Sequence, residues 1–378
     1  MSKSYRILIA AGGTGGHVFP AISIADALRD QNESVIIEFV GTKDKIEWKV
    51  VPEAGYPIHN IWISGFHRRL TMKNLLFPLK LFSSIIQSYQ IIRKFSPDIV
   101  VACGGYVAGP IGWVASQKRI PLVLQEQNSF PGVTNRLLAK YALIIFTAFK
   151  QADRYFPDGK TKLLGNPVRK SLLQFDISEA YHHFGFSSDK PTLAVLGGSG
   201  GAKAINEAMR QTLDRLHDEL HLQIIWQCGS RYAEETKQKI DESKYSNLRL
   251  MPFIDKMEDV YAISDLVISR AGAGSCAELM VTGKPAILVP SSNVAGDHQT
   301  KNAEAMVENG AAVMISDNEL ANKLFSTTDH LFNHKDQLNE MAEAAKSIAI
   351  PDASDKIASQ IINLITKKES DNRETVTQ

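Results

Sequence analysis

Short, apolar, β-rich runs recur along the chain at 7–11, 35–40, 99–103, 122–124 and 143–146, and again at 193–196, 222–226, 266–269, 286–289 and 312–315. Several are apolar at nearly every position, as strands covered on both faces are. Helix-length stretches separate them. Strand–helix alternation over this length predicts an α/β protein of parallel sheets with right-handed crossovers. The halves rhyme: RILIAAGGTGGH at 6–17 and TLAVLGGSGGAK at 192–203 each carry a strand into a glycine cluster. Two doubly wound domains are therefore expected. The Leu-Gly-Asn-Pro-Val-Arg segment at 164–169 reads as the hinge, which assigns 1–165 to the first domain and 166–346 to the second. Pro351 and Asp352 then interrupt the pattern. Within 347–378, a helix over 354–365 is expected to return to the first domain, followed by a frayed polar tail.

Composition narrows the class. Apolar residues make up 44% of the 378 and charged residues 22%, near globular averages. The 42 Lys and Arg against 41 Asp and Glu leave a net charge of +1, too little for a global attraction to nucleic acid. Cys103, Cys228 and Cys276 are too few and too scattered for a disulfide framework or a four-cysteine zinc site. They suit a reducing cytoplasm. The N-terminal MSKSYRILIAAGGTGGH lacks the apolar core of a secretory leader, and no run reaches the ~18 apolar residues of a membrane-spanning helix. A soluble, cytoplasmic, two-domain protein is expected.

Gly12-Gly13-Thr14-Gly15-Gly16-His17 joins a strand to a helix that includes 21–28. Glycines admit sharp turns and close ligand approach, and the helix start behind them offers N–H donors and a positive dipole end. A dinucleotide loop requires G-x-G-x-x-G, but Val18 stands where the third glycine belongs. A nicotinamide cofactor is thus a minor reading, despite Glu38 at about the distance of a ribose-binding acid. A tight packing turn is the plain alternative; His17 at the loop mouth favours ligand contact or proton transfer. Gly197-Gly198-Ser199-Gly200-Gly201 lacks the Lys-Ser/Thr ending of a P-loop, and Asn206 lies one to two turns into the helix that follows. Gly104-Gly105-Tyr106 and the 270–278 stretch complete four glycine-bearing strand ends. Parallel sheets bind ligands at that end, and several helix N-termini together suffice to hold a diphosphate. Ser275-Cys276-Ala277-Glu278 matches an S-x-x-E capping box. Glu278 is either that cap or a carboxylate for the ribose hydroxyls of a nucleotide.

GGTGGH at 12–17, GGY at 104–106, QEQN at 125–128, GNPVR at 165–169, GGSGGA at 197–202, the 270–278 stretch, and Asp297-His298-Gln299 with Asn302 occur in this order. The set resembles the UDP-N-acetylglucosamine–N-acetylmuramyl-(pentapeptide) pyrophosphoryl-undecaprenol N-acetylglucosamine transferases of glycosyltransferase family 28. The resemblance implies a GT-B fold, two Rossmann-like domains with an interdomain cleft. It also implies a hexosyltransferase that moves GlcNAc, with inversion, from UDP-GlcNAc to the MurNAc 4-hydroxyl of lipid I. The product, lipid II, serves peptidoglycan synthesis, and with it cell shape and division. Carried onto this sequence, Thr14, Gly15, Gly16 and Asn128 contact the donor from the first domain. Arg169, Ser199 and Ile254 hold the uridine and phosphate end, Ile254 by its backbone against uracil, and Asn206 joins the donor set. Ala273, Gly274 and Ser275 face the diphosphate, Glu278 the ribose and Gln299 the GlcNAc hydroxyls. Gln125 departs from the family's more frequent His before Glu-Gln-Asn, and Gly274 from an often bulkier residue.

An inverting transfer needs a base for the acceptor proton and stabilisation of the departing UDP. No Asp-x-Asp occurs in the chain, so neither a metal nor a cofactor is expected. Stabilisation falls to helix N-termini and backbone N–H groups, where one well-aimed donor is worth ~3–4 kcal/mol. His17 is the first candidate base, its unperturbed pKa of ~6.5 lying near working pH. Glu126 is the second and needs burial to raise its pKa. Tyr106 is expected to position the acceptor. The plain alternatives are loop capping by His17 and orientation of Asn128 by Glu126.

A span of 44 residues, 54–97, contains no Asp or Glu and carries Arg68, Arg69, Lys73, Lys80, Arg93 and Lys94. Leu75, Leu79, Phe82, Ile86 and Tyr89 share one helical face, as in a crossover helix covering a sheet. Leu76, Phe77 and Leu81 add apolar surface off that face. With Arg68, Arg69, Lys73 and Lys80 they are expected to form a reversible membrane-surface patch, each cation adding about 1 kcal/mol on anionic lipid. This makes the chain a peripheral protein on the cytoplasmic side of the cell membrane, within reach of a polyprenyl-linked acceptor; a cell-wall or division complex is a further expected partner. Other classes stay open: a diacylglycerol glucosyltransferase with the same donor chemistry, a UDP-GlcNAc 2-epimerase without need of the acid-free segment, and a non-catalytic nucleotide-sugar-binding subunit.

Overall fold

The computed structural model describes residues 4–65, 76–198, 200–291 and 297–376, with backbone alone over 368–376. The chain divides into two compact units, Met1–Val168 with Ile350–Gln378, and Arg169–Ala349. In the first, β1 (Tyr5–Ala10), β2 (Val35–Gly41), β3 (Ile58–Asn60), β4 (Ile99–Ala102), β5 (Leu122–Glu126), β6 (Ile144–Thr147) and β7 (Thr161–Leu163) form one sheet in the order β3-β2-β1-β4-β5-β6-β7. Every pairing is parallel. The pleat sorts β1 between two cores. Ile7 and Ile9 join Ile24 and Leu28 of the helix Gly15–Gln31, while Leu8 and Ala10 join Ile92 of the helix Phe77–Phe95 and Ile111 of the helix Gly105–Gln117. Apolar residues at consecutive positions follow directly from this two-sided cover.

The second unit repeats the plan with β8 (Thr192–Leu196), β9 (Gln223–Gln227), β10 (Leu248–Met251), β11 (Leu266–Ser269), β12 (Ala286–Leu288) and β13 (Ala312–Met314), in the order β10-β9-β8-β11-β12-β13 and parallel throughout. Leu193 and Val195 pack with Ile205, Met209 and Leu213 of the helix Lys203–Asp218. β3, β7 and β10 were absent from the apolar runs. All three are sheet edges: β3 is half-buried along its length, β7 is mostly exposed and β10 alternates buried with half-buried positions, so none shows a continuous apolar run.

Two expectations about helices are corrected. Helix Phe77–Phe95 turns the opposite way, burying Ser84, Ser88, Ile92 and Phe95 and exposing Leu79, Phe82, Ile86 and Tyr89. The serines tolerate burial because their hydroxyls donate within the helix, Ser84 to the Leu81 carbonyl at 2.7 Å and Ser88 to the Ser84 carbonyl at 2.6 Å. Phe77, assigned to the outer patch, packs against the core instead, whereas Leu76 and Leu81 are exposed. Arg68, Arg69, Lys73 and Leu75 lie outside the described residues. The last helix, Ala353–Val376, replaces the expected frayed tail and sets Ile357, Ala358, Ile361 and Ile365 into the first unit's core. Among the described residues, no helix is long and apolar enough to cross a membrane.

Candidate active site

Each sheet reverses its strand order once, between β1 and β4 in the first unit and between β8 and β11 in the second. Connections leave such a switch point in opposite directions and open a crevice beyond the strand C-termini. The glycine loops at 12–16 and 104–105 follow β1 and β4, and those at 197–201 and 272–274 follow β8 and β11. Behind them start the helices Gly15–Gln31, Gly105–Gln117, Lys203–Asp218 and Ala273–Thr282. None is capped by its N-cap side chain, and none has an acid in its first turn. Helix Ile177–Phe184, which follows no such loop, is capped conventionally: Asp176 accepts from the Ser178 and Glu179 N–H groups at 2.8 and 3.0 Å. A helix start without an N-cap side-chain bond or a first-turn acid presents its positive dipole end to the loop, which suits an anionic ligand.

In the first unit the loops touch through backbone. At Gly105, with φ +74°, a Cβ would lie 2.1 Å from the Gly12 carbonyl oxygen, so only glycine fits. Behind them is the fully buried Glu47, which sequence reasoning missed. Its Oε2 accepts from the Gly13 N–H at 3.2 Å, and its Oε1 from the Thr42 N–H and hydroxyl at 3.1 and 2.9 Å. No local signal joins an acid in GTKDKIE to a distant glycine turn. Tyr106 stacks its ring by Gly13 and Gly65, supporting the loop from within. Burial, with Glu47 and Asp44 nearby, pushes its hydroxyl up to about 12, so it stays neutral. Thr14 is the N-cap residue of the helix Gly15–Gln31, and its Oγ1 lies 3.1 Å from His17 Nδ1.

Glu126 ends β5 almost fully buried. Its Oε1 accepts from the Asn128 N–H and side-chain amide at 3.0 and 3.1 Å, and its Oε2 from the Gly132 N–H and the Asn135 amide at 3.1 and 2.8 Å. Burial raises its carboxyl and these bonds oppose the rise. With four donors on two oxygens, Glu126 shapes the loop that presents Asn128, the orienting role set out above as its plain alternative.

In the second unit the helix begins at Ala273 behind Gly272, so Ser275 is its third residue and the capping box at Glu278 does not form. Glu278 instead accepts from the Tyr261 hydroxyl at 2.9 Å. Burial raises the Glu278 carboxyl, while the Arg169 charge and the Tyr261 bond hold it down. Tyr261 was missed, because nothing in MEDVYAISD marks it; its hydroxyl is held well above its usual range by burial and by Glu278. Asn206, carried over into the donor set, is bonded within the fold. Its amide donates to the Cys228 carbonyl at 2.8 Å and its carbonyl accepts from Trp226 Nε1 at 3.1 Å, so both ends brace β9. Ile254 is buried as a whole residue. Gln299 Oε1 accepts from the Ser291 N–H at 2.8 Å. A Cβ on Gly274 would meet nothing within 4 Å. Ser199 lies outside the described residues.

Known proteins match both halves. The glycosyltransferase family 28 N-terminal domain matches residues 7–147, and the family's C-terminal domain matches 192–357. A UDP-N-acetylglucosamine–N-acetylmuramyl-(pentapeptide) pyrophosphoryl-undecaprenol N-acetylglucosamine transferase of Christiangramia forsetii is 44% identical over 97% of this chain and 100% of its own. Its counterpart in Flavobacterium psychrophilum is 42% identical over the same shares. The crystal structure of Acinetobacter baumannii MurG, 30% identical, covers 96% of this chain and 99% of its own with a TM-score of 0.73. A Neisseria meningitidis UDP-GlcNAc 2-epimerase bound to UDP-GlcNAc has a TM-score of 0.65 at 14% identity, covering 95% and 100%, and shares the fold alone. The two parallel-sheet units are those of the GT-B fold, and the chain belongs to glycosyltransferase family 28, among the UDP-N-acetylglucosamine–N-acetylmuramyl-(pentapeptide) pyrophosphoryl-undecaprenol N-acetylglucosamine transferases.

Proposed function

We propose that this enzyme transfers GlcNAc from UDP-GlcNAc to the MurNAc 4-hydroxyl of undecaprenyl-pyrophosphoryl-MurNAc-pentapeptide, giving lipid II for peptidoglycan synthesis. The observation that carries this is the set of four helix starts without an N-cap side-chain bond at the two switch points, in a chain 44% identical to a transferase of that name. The acceptor oxygen attacks the anomeric carbon as the bond to UDP breaks on the opposite face. His17 takes the hydroxyl proton and later releases it to solvent, and the diphosphate leaves with the bonding pair. The second unit holds the nucleotide: Glu278 accepts from the ribose hydroxyls, the Ile254 backbone pairs with uracil, and Arg169 with the first turn at Ala273, Gly274 and Ser275 meets the phosphates. Gln299 turns toward the GlcNAc hydroxyls. Thr14, Gly15, Gly16 and Asn128 serve the sugar side from the first unit.

The acceptor is reached at the cytoplasmic face of the membrane. The docking face is the outward row Leu76, Leu79, Phe82, Ile86 and Tyr89, with Phe82 64% exposed. Lys80 over the Trp62 ring and Lys118 over the Tyr89 ring, 5.7 and 4.1 Å from their centroids, supply cations at its rim. Radiolabelled UDP-GlcNAc offered with lipid I, diacylglycerol or no acceptor, with a chelator present throughout, tests the reaction. Label should move to lipid I only. Label on diacylglycerol, or epimerised sugar with no acceptor, would overturn the assignment.

A further inference from the structure

Gln127 is 1% exposed, and among the described residues its Oε1 is one of the few buried side-chain oxygens without a hydrogen-bond partner. The amide cannot turn to relieve this. Its Nε2 donates to the Cys103 carbonyl at 2.6 Å and to Gln125 Oε1, so a flip would set an oxygen against two acceptors. The oxygen is therefore held toward Gly104. The His17 ring lies over the same glycine: a Cβ built there would stand 2.7 Å from His17 Cδ2, 3.1 Å from Nε2 and 3.6 Å from Gln127 Oε1. Gly104, with φ +97°, leaves that space empty, so ring and amide share it. The other ring nitrogen, Nδ1, faces the exposed Thr14 hydroxyl at 3.1 Å.

We propose that Gln127 is a positioning residue that sets the tautomer of His17. A small turn of the imidazole brings Nε2–H onto Gln127 Oε1. The proton stays on the inner nitrogen, and Nδ1, which accepts from the Thr14 hydroxyl at rest, is the unprotonated basic nitrogen. A buried carbonyl acceptor fixes a histidine tautomer through the nitrogen that does no chemistry. When Nδ1 takes the acceptor proton, the same carbonyl steadies the imidazolium without itself ionising. This inference rests on His17 acting as the base.

The test uses the full-length enzyme labelled with 15N in histidine, with His17→Ala identifying the His17 signals. Long-range 1H–15N spectra of the neutral wild type should show His17 protonated at Nε2. In Gln127→Met, which keeps the length of the side chain but removes the acceptor, the Nδ1–H form should appear. Turnover should fall at least tenfold with KM for UDP-GlcNAc unchanged. A wild-type His17 protonated at Nδ1, or a tautomer indifferent to Gln127→Met, overturns the inference. A second acceptor-free variant, Gln127→Leu, supplies the comparison if Gln127→Met folds poorly, and a wild-type Nδ1–H overturns the inference without either. Normal turnover in His17→Ala would instead remove the base assignment and leave the tautomer measurement standing.

Discussion

His17 stands in the first turn of the helix behind β1 and Glu126 at the C-terminus of β5, and their surroundings prepare them for different work. Every lone-pair direction of Glu126 that matters for the loop is met by a donor. In Glu126→Gln one oxygen becomes an NH2 facing existing donors, which costs about 1–3 kcal/mol of stability. Urea unfolding should report that loss, while the acidic limb of the pH–rate profile keeps its position. His17→Ala should lower kcat by ~10²–10⁴ and leave UDP binding, measured by calorimetry, intact. A second contrast concerns Glu278. Burial favours its neutral form, and Arg169 and Tyr261 favour the ionised one. Tyr261→Phe removes one of these two supports, so the carboxyl climbs further and is neutral over a wider acidic range. UDP affinity should then fail at a higher pH on acidification than in the wild type, with little change under alkaline conditions. Coincident profiles for the two proteins would show that Tyr261 does not tune this carboxylate.

At the scale of elements, helical spacing predicted the stripe Leu79, Phe82, Ile86 and Tyr89 but not the side it faces. Apolar periodicity marks a phase; whether that phase meets core or solvent depends on what else the helix can bury. Here Ser84 and Ser88 satisfy their own hydroxyls and let the helix lie close to its neighbours, so the larger side chains point outward. Fully burying one such side chain in lipid is worth about 1.5–3 kcal/mol. Phe82→Ser and Ile86→Ser should each weaken binding to anionic vesicles by about tenfold or more and spare UDP binding; vesicle co-sedimentation measures this. Phe77→Ser should unsettle the fold instead, because Phe77 packs inward. The edge strands β3, β7 and β10 carry the same lesson, since each is only partly buried and so has no continuous apolar run to betray it.

At the scale of the whole molecule, the chain leaves the first unit at Val168, builds the second, and returns at Ile350. The closing helix sets Ile357, Ile361 and Ile365 into the core beside the helix that carries His17. Ile361→Ala should cost about 2–5 kcal/mol. The loss should be confined to the first unit: hydrogen exchange should quicken across β1 and β4 and stay unchanged across β8 and β11. The sequence by itself determined two parallel sheets, the strand–glycine–helix units that head them, and the membership in family 28, because apolar runs and glycine turns are local signals read within a few residues. Tertiary structure alone decided that Glu47 braces the Gly12–Gly13 turn, that Tyr261 supports Glu278, that Glu126 and Asn206 are occupied within the fold, and which face of the helix Phe77–Phe95 meets solvent. Those outcomes depend on partners far away along the chain, and a buried polar group declares its role only when the fold has shown which donors and acceptors surround it.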